Sequence, residues 1–262
     1  MSLLEGVFLG ILQGLTEFIP VSSSGHLVLA QYYFGILEPG ITLEIMLHFG
    51  TLFSVIWVFH KDLLKIISGF ITDKKQQHLI FLLICGTVPT GIIGVFFSSF
   101  FRKFYESPLA VALMLLITGI ILWFLTILPE GSKSGRQIKW YDAFLIGVFQ
   151  GLAIIPGISR SGITITGAIW RKLEREAAVK FSFLLSLPAI LGASIWELID
   201  IYQAGAQSNF NTVYILSALA AFVSGVLAIK FFIKMLSKGK FYYFSYYCWL
   251  IGSLVLIAEF LG

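Results

Sequence analysis

Long apolar runs alternate along this chain with short polar segments, many of them bearing lysine. Six runs, at about 41–59, 79–101, 108–128, 181–200, 212–233 and 242–261, are each long enough to cross a bilayer as a helix, which takes about 20 mostly apolar residues. Two further apolar stretches, about 3–30 and 142–170, are interrupted in the middle by Pro, Gly and Ser. Neither half of such a stretch can cross alone. Each is therefore expected to be a re-entrant helical hairpin that enters and leaves on one side; the alternative is a single kinked span. The expected fold is all-α: a polytopic membrane protein with six transmembrane helices plus two re-entrant hairpins. Residues 1–262 read as one membrane domain.

Composition supports this class. The chain is 58% hydrophobic and 12% charged, with a mean hydropathy of +0.91, far too apolar for the surface of a soluble domain. Met1 to Glu5 carry an acid and no basic residue, so a cleavable signal peptide is not expected. Cys85 and Cys248 lie inside apolar runs and read as small hydrophobes, not as a disulfide or metal pair.

Charge decides between hairpin and kinked span. With hairpins, one side of the membrane receives Lys61, Lys65, Lys74 and Lys75, then Lys133, Arg136 and Lys139. The same side receives Arg171, Lys172, Arg175 and Lys180, then Lys230, Lys234, Lys238 and Lys240. The other side receives only Arg102 and Lys103, together with loops 31–40 and 201–211, which hold no Lys or Arg. The positive-inside rule then puts the basic side in the cytoplasm. The first hairpin enters from outside and the second from inside. The halves, about 1–128 and 129–262, are thus expected to form an inverted-topology repeat.

The two interruptions resemble each other residue by residue. Gly10, Gln13, Gly14, Leu15, Ser22, Ser24 and Gly25 recur, 137 positions on, as Gly147, Gln150, Gly151, Leu152, Ser159, Ser161 and Gly162. Broken apolar segments at matching places in two halves point to an intramembrane binding site. The copies differ in charge: Glu17 and His26 in the first stand opposite Ile154 and Ile163, while the second carries Arg160.

Gly6, Gly10 and Gly14, four apart, form a smooth helix ridge and are read as close packing. A carboxylate such as Glu17 at membrane depth needs a polar cavity or a partner. It is either an ion-pair partner of Arg160 or a metal ligand or general base, and these readings are compatible. Arg160 offers a planar fork of donors that suits phosphate oxygens. Ser22, Ser23, Ser24 and Gly25, with Ser159, Ser161 and Gly162, lead into helix N-termini, where free N–H groups favour an anion. The plainer reading is that these serines cap helices. Gln150 joins this candidate phosphate set. Glu44 and His48, four apart on one helix face, are candidates for supporting that centre or for an interfacial pair. No G-x-x-x-x-G-K-[ST], G-x-G-x-x-G or H-E-x-x-H is present, which argues against nucleotide-driven and zinc-protease chemistry. The basic loops show no nucleic-acid pattern.

At these residues the sequence resembles the bacterial undecaprenyl-diphosphate phosphatase family of the bacitracin-resistance type. Its first motif is similar to Gln13 to Glu17 followed by Pro20-Val-Ser-Ser-Ser-Gly-His26, and its second to Pro156-Gly-Ile-Ser-Arg-Ser-Gly162. The segment Arg175 to Pro188 is also similar, and the resemblance covers nearly the whole chain. It implies hydrolysis of the terminal phosphate of a C55 isoprenyl diphosphate in the bacterial plasma membrane. The site would open to the outer face and depend on a divalent cation, Mg²⁺ or Ca²⁺. By resemblance Glu17, His26 and Arg160 match the essential acid, histidine and arginine, and Ser23 matches the proposed nucleophile. Gln13 fills the motif's first acidic position without a charge, and with Glu17 is the candidate metal pair.

The expected chemistry is phosphoanhydride hydrolysis. Arg160, the serine loops and the helix ends clamp the diphosphate. Glu17 binds the metal or acts as base, Ser23 or a water attacks, and His26 assists proton transfer. The expected partners are a polyprenyl diphosphate, the surrounding lipids and, as a homodimer, a second copy of the chain. A polyprenyl-phosphate transporter is the alternative, because paired broken helices in inverted halves also build carriers.

Overall fold

A computed structural model of the protein describes residues 1–36, 42–129, 131–203, 212–236 and 240–261. Residues 37–40 and 204–211 of the two loops expected to lack basic residues lie outside the described residues, as does Lys238. The helices are α1 (Leu3–Phe18), α2 (Ser23–Phe34), α3 (Thr42–Val58), α4 (His60–Ser68), α5 (Lys74–Tyr105) and α6 (Pro108–Ile127). They continue as α7 (Trp140–Leu152), α8 (Arg160–Trp170), α9 (Arg175–Gln203), α10 (Thr212–Leu236) and α11 (Tyr242–Leu261). Among the described residues the β pairing is confined to an isolated bridge between Lys133 and Leu173.

Among the described residues five helices, α5, α6, α9, α10 and α11, are long and apolar enough to cross a membrane. The expected spans at 79–101, 108–128, 181–200, 212–233 and 242–261 fall on them. The sixth, 41–59, corresponds to α3, which has 17 residues and bends by 76° into α4. The apolar run ends at Phe59, and His60-Lys61-Asp62 begins a short amphipathic helix with no buried residue. Only the bent pair taken together makes a sixth span.

Both interrupted stretches are broken where Pro and Gly stand. Ser2 opens α1 through a capping box: Ser2 N donates to Glu5 Oε2 at 2.7 Å and Glu5 N to Ser2 Oγ at 3.3 Å. The helix stops at Phe18. Ile19, in front of Pro20, is extended (φ −70°, ψ 134°), as expected of a residue preceding proline. α7 stops at Leu152, and the chain passes through Pro156 and Gly157 (φ +95°) before α8 begins.

α1 packs on α10, α7 on α5, α3 on α10 and α6 on α11. The glycine ridge of α1 allows its close contact: a Cβ at Gly10 would lie 2.2 Å from the Ser217 carbonyl oxygen. In the second half a Cβ at Gly147 would lie 1.9 Å from the Gly86 carbonyl oxygen on α5. A fully buried aromatic cluster stands between the halves. The Phe183 ring lies 5.6 Å from Phe18 and 6.0 Å from Phe232. Large apolar side chains such as Phe96, Ile120, Leu227 and Leu254 are exposed on the long helices, as suits contact with lipid tails.

Candidate functional site

The two breaks meet. Ser22 caps α2 and Ser159 caps α8, and each Oγ accepts from the N–H three residues on: Gly25 N at 3.3 Å and Gly162 N at 3.1 Å. Ser22 Oγ also accepts from Gly157 N, at 3.1 Å, in the other half. This contact needs glycine on both sides, since a Cβ at Gly25 would lie 2.9 Å from Gly157 Cα. Gly157 is itself tied to α6, its carbonyl accepting from Thr118 Oγ1 at 2.7 Å.

Glu17, one residue before the end of α1, is buried at this junction. Arg160, the first residue of α8, donates from Nη2 to Glu17 Oε1 at 2.5 Å. Ser23, the first residue of α2, donates from Oγ to Glu17 Oε2 at 2.5 Å, and Gln13 Nε2 donates to the same oxygen at 3.1 Å. Three elements from two halves therefore deliver a carboxylate, a guanidinium and a hydroxyl to one point. Among the described residues Arg160 Nη1, Gln13 Oε1 and Gln150 Oε1 are buried without a hydrogen-bond partner. A buried donor left open on a guanidinium is an invitation to an anion.

A cavity of about 540 Å³ opens beside this centre. Glu17, Ser22, Ser23, Ser24, Ser159, Arg160 and Gln150 line it, and so do Glu44 and His48 from α3. The remaining wall is largely apolar and comes from α5 and α9, including Gly91, Val95, Pro188, Ala189 and Gly192. Not every candidate reaches the cavity. Gln13, His26, Gly25, Ser161 and Gly162 are not part of its wall. The Gly25 and Gly162 N–H groups are taken by the cap serines, and Ser161 Oγ lies 3.3 Å from Ser159 Oγ. Gln150 Nε2 donates to Thr90 Oγ1 at 3.2 Å. The open atom of Gln150 is therefore an acceptor, which suits a water, a hydroxyl or a cation better than a bare phosphate oxygen.

His26 is buried on α2, with Nδ1 at 2.7 Å from the Ser22 carbonyl and Nε2 at 2.9 Å from the Tyr247 hydroxyl. Tyr247, Thr90 and Thr118 are polar groups at this site that the motifs do not reveal. Each lies in an otherwise ordinary apolar run, and only the fold brings it close. Glu197, Arg102 and Tyr105 also line the cavity.

A divalent cation at this centre would need several oxygen or nitrogen ligands. Among the described residues no cluster of three His, Cys, Asp or Glu side chains stands ready to hold one. Glu17 lines the cavity and could offer a carboxylate oxygen to a Mg²⁺ whose further ligands come from substrate phosphates, whereas Gln13 is outside its wall and turns Nε2, not Oε1, toward Glu17. The donor set fits a cation shared with substrate, not a closed protein cage.

Fold and site together define a multi-pass helical membrane protein with a charged centre built where two broken helix pairs meet. The chain belongs to the family described as bacitracin resistance protein BacA, whose model matches residues 6–254. Three relatives are similar over nearly their whole length. The undecaprenyl-diphosphatase of Alkaliphilus metalliredigens is 45% identical, with 98% of each chain covered. That of Desulforapulum autotrophicum is 44% identical, with 100% of each covered. Undecaprenyl-diphosphatase 4 of Bacillus cereus is 42% identical, covering 99% of this chain and 98% of its own.

Proposed function

We propose that this protein hydrolyses undecaprenyl diphosphate to undecaprenyl phosphate and inorganic phosphate, returning the lipid carrier to cell-wall synthesis. One observation carries the reading: Glu17 holds Ser23 Oγ and Arg160 Nη2, each at 2.5 Å, at the wall of a cavity large enough for a diphosphate. A hydroxyl bonded to a carboxylate is an activated nucleophile, and the arginine beside it supplies charge where negative charge develops.

In the reaction Ser23 Oγ attacks the terminal phosphorus and its proton passes to Glu17. The bond from that phosphorus to the bridging oxygen breaks, and the lipid monophosphate leaves. Water then cleaves the serine phosphate and releases inorganic phosphate. Arg160 orients Glu17 through Nη2 and offers Nη1 to the phosphate oxygens. Ser24 and Ser159 add hydroxyls along the same wall. Glu17 would hold the divalent cation, Mg²⁺ or Ca²⁺, which when bound would neutralise charge on the diphosphate, and Gln13 Nε2 would orient the carboxylate. The isoprenyl chain lies against the apolar α5 and α9 wall.

The same reading places the protein in the bacterial plasma membrane, with the centre open to the outer face and α1–α2 and α7–α8 as re-entrant hairpins. The halves, about 1–128 and 129–262, form one domain as an inverted repeat. Reciprocal contacts support this. Gly10 and Gly147 occupy equivalent positions. The Gly10 carbonyl accepts from Ser224 Oγ on α10 at 3.4 Å, and the Gly147 carbonyl accepts from Thr90 Oγ1 on α5 at 2.8 Å. α1 packs on α10 as α7 packs on α5.

The test is phosphate release from a polyprenyl diphosphate by purified protein in detergent. It is run with Mg²⁺, Ca²⁺ or EDTA and with Arg160→Ala and Glu17→Ala. Metal-dependent release lost in both variants is expected. No release by folded protein that still binds the lipid would overturn the reading in favour of lipid transport.

A further inference from the structure

The phosphatase chemistry uses Glu17, Ser23 and Arg160 but gives no direct task to His26, which lies outside the cavity wall. Both of its ring nitrogens are engaged. Nδ1 lies 2.7 Å from the Ser22 carbonyl, and a carbonyl only accepts, so Nδ1 carries the proton. In the neutral ring Nε2 is then an acceptor, and the Tyr247 hydroxyl, 2.9 Å away, donates to it. The two rings are stacked, 9° from parallel with centroids 5.6 Å apart, which fixes the imidazole plane.

What this pair holds is an unusual piece of backbone. Ser22 has φ +70°, a left-handed conformation that non-glycine residues rarely adopt. Its carbonyl accepts from His26 Nδ1 and from His26 N, the latter at 3.2 Å. Its Oγ accepts from Gly25 N and Gly157 N. Ser22 is thus pinned at both oxygens, and the next residue is Ser23, whose hydroxyl meets Glu17.

We propose that Tyr247 is a positioning residue: by donating to His26 Nε2 and stacking on the ring it holds the imidazole where Nδ1–H reaches the Ser22 carbonyl, and so holds the backbone that presents Ser23 to Glu17. His26 is accordingly a positioning residue as well, and not the carrier of the reaction's proton. The inference rests on the phosphatase reading for its kinetic consequence, but its geometry stands apart from that reading.

Asparagine tests the role, because its side-chain N–H₂ can replace the Nδ1 donor but nothing in it replaces Nε2. In detergent, kcat and KM are measured for Tyr247→Phe, His26→Asn, His26→Ala and the double variant Tyr247→Phe/His26→Asn. Imidazole ¹⁵N spectra are recorded for the wild type and Tyr247→Phe, with His26 assigned by its loss in His26→Asn. Tyr247→Phe is expected to lower kcat roughly tenfold, the scale of one lost buried hydrogen bond, with KM unchanged. The His26 Nδ1–H pattern should persist, while the Nε2 resonance should shift toward that of an unbonded pyridine-type nitrogen. His26→Asn should retain activity well above His26→Ala, and adding Tyr247→Phe to it should cause no further loss. Full kcat in Tyr247→Phe, or His26→Asn as inactive as His26→Ala, would overturn the proposal. If the wild type itself releases no phosphate, the hydrolase reading fails; the nitrogen spectra then decide the tautomer alone, and a wild type without the Nδ1–H pattern overturns the positioning role.

Discussion

Arg160 Nη2 and Glu17 Oε1 lie 2.5 Å apart although their residues stand 143 positions apart in the chain, at the N-terminus of α8 and near the C-terminus of α1. The pair is mostly buried, with side-chain exposures of 15% and 6%, so each charge depends largely on the other. Removing one member leaves the other stranded, which typically costs about 3–5 kcal/mol.

Arg160→Ala is therefore expected to lose both phosphate release and thermal stability. Arg160→Lys keeps the charge but not the planar fork. It should regain most of the stability and little of the activity. Unfolding temperature in detergent and kcat/KM on a polyprenyl diphosphate, measured on both variants, separate the two effects. Equal activity in Lys and wild type would show that the fork has no part in the reaction.

Glu17→Gln preserves the size of the side chain but removes the base. A fall in kcat of roughly 100- to 10,000-fold is expected, the usual worth of positioned proton transfer. Ser23→Ala should fall at least as far. Labelled phosphate should be trapped on the wild-type chain and absent from the Ser23 variant. A fully active Ser23→Ala would make water the direct nucleophile.

These three residues were legible in the sequence because the two interruptions repeat in their Gly, Gln and Ser framework while Glu17 and Ser23 in one stand opposite Ile154 and Arg160 in the other. Tyr247 was not. It is one of several tyrosines at the start of an apolar run, and its partner His26 lies 221 positions away. Gln150 was legible as a repeat of Gln13, but which of its amide atoms stays open depends on Thr90 across the helix interface. The spans on α5 and α9 were visible as apolar windows. Their full lengths of 32 and 29 residues were not, because polar turns continue each helix beyond the apolar run. The bend after α3 has no signature in the sequence for a related reason: hydropathy reports an apolar length and not a direction.

Glycine positions separate packing from open space. Gly147→Ala would set a methyl 1.9 Å from the Gly86 carbonyl oxygen, backbone that cannot step aside. A loss of about 1–3 kcal/mol, typical of overpacking, is expected. At Gly91 and Gly192 an added Cβ meets nothing within 4 Å. Alanine there should leave the unfolding temperature unchanged or slightly raised, since helix propensity improves. Thermal unfolding of the three variants in one detergent checks the contrast.

Asp142 is fully buried at the start of α7 and accepts from Arg171 Nε at 2.6 Å, Lys139 N at 3.1 Å and Lys133 Nζ at 3.3 Å. It ties the segment after α6 to the turn after α8, where Lys133 also pairs with Leu173. Asp142→Ala should destabilise by about 1–3 kcal/mol, a modest figure because both cations are partly solvated. Proteolysis between α6 and α7 should quicken in the same variant. Unchanged cleavage would mean that the segment is held by its backbone bridge alone.

The bond from Gly157 N to Ser22 Oγ has a mechanical meaning. Any rocking of one half past the other would have to tear this bond and part the Glu17–Arg160 charges in the same stroke. Such rocking is thereby opposed, and on the proposed reading a lipid head comes to this centre and leaves by the same side.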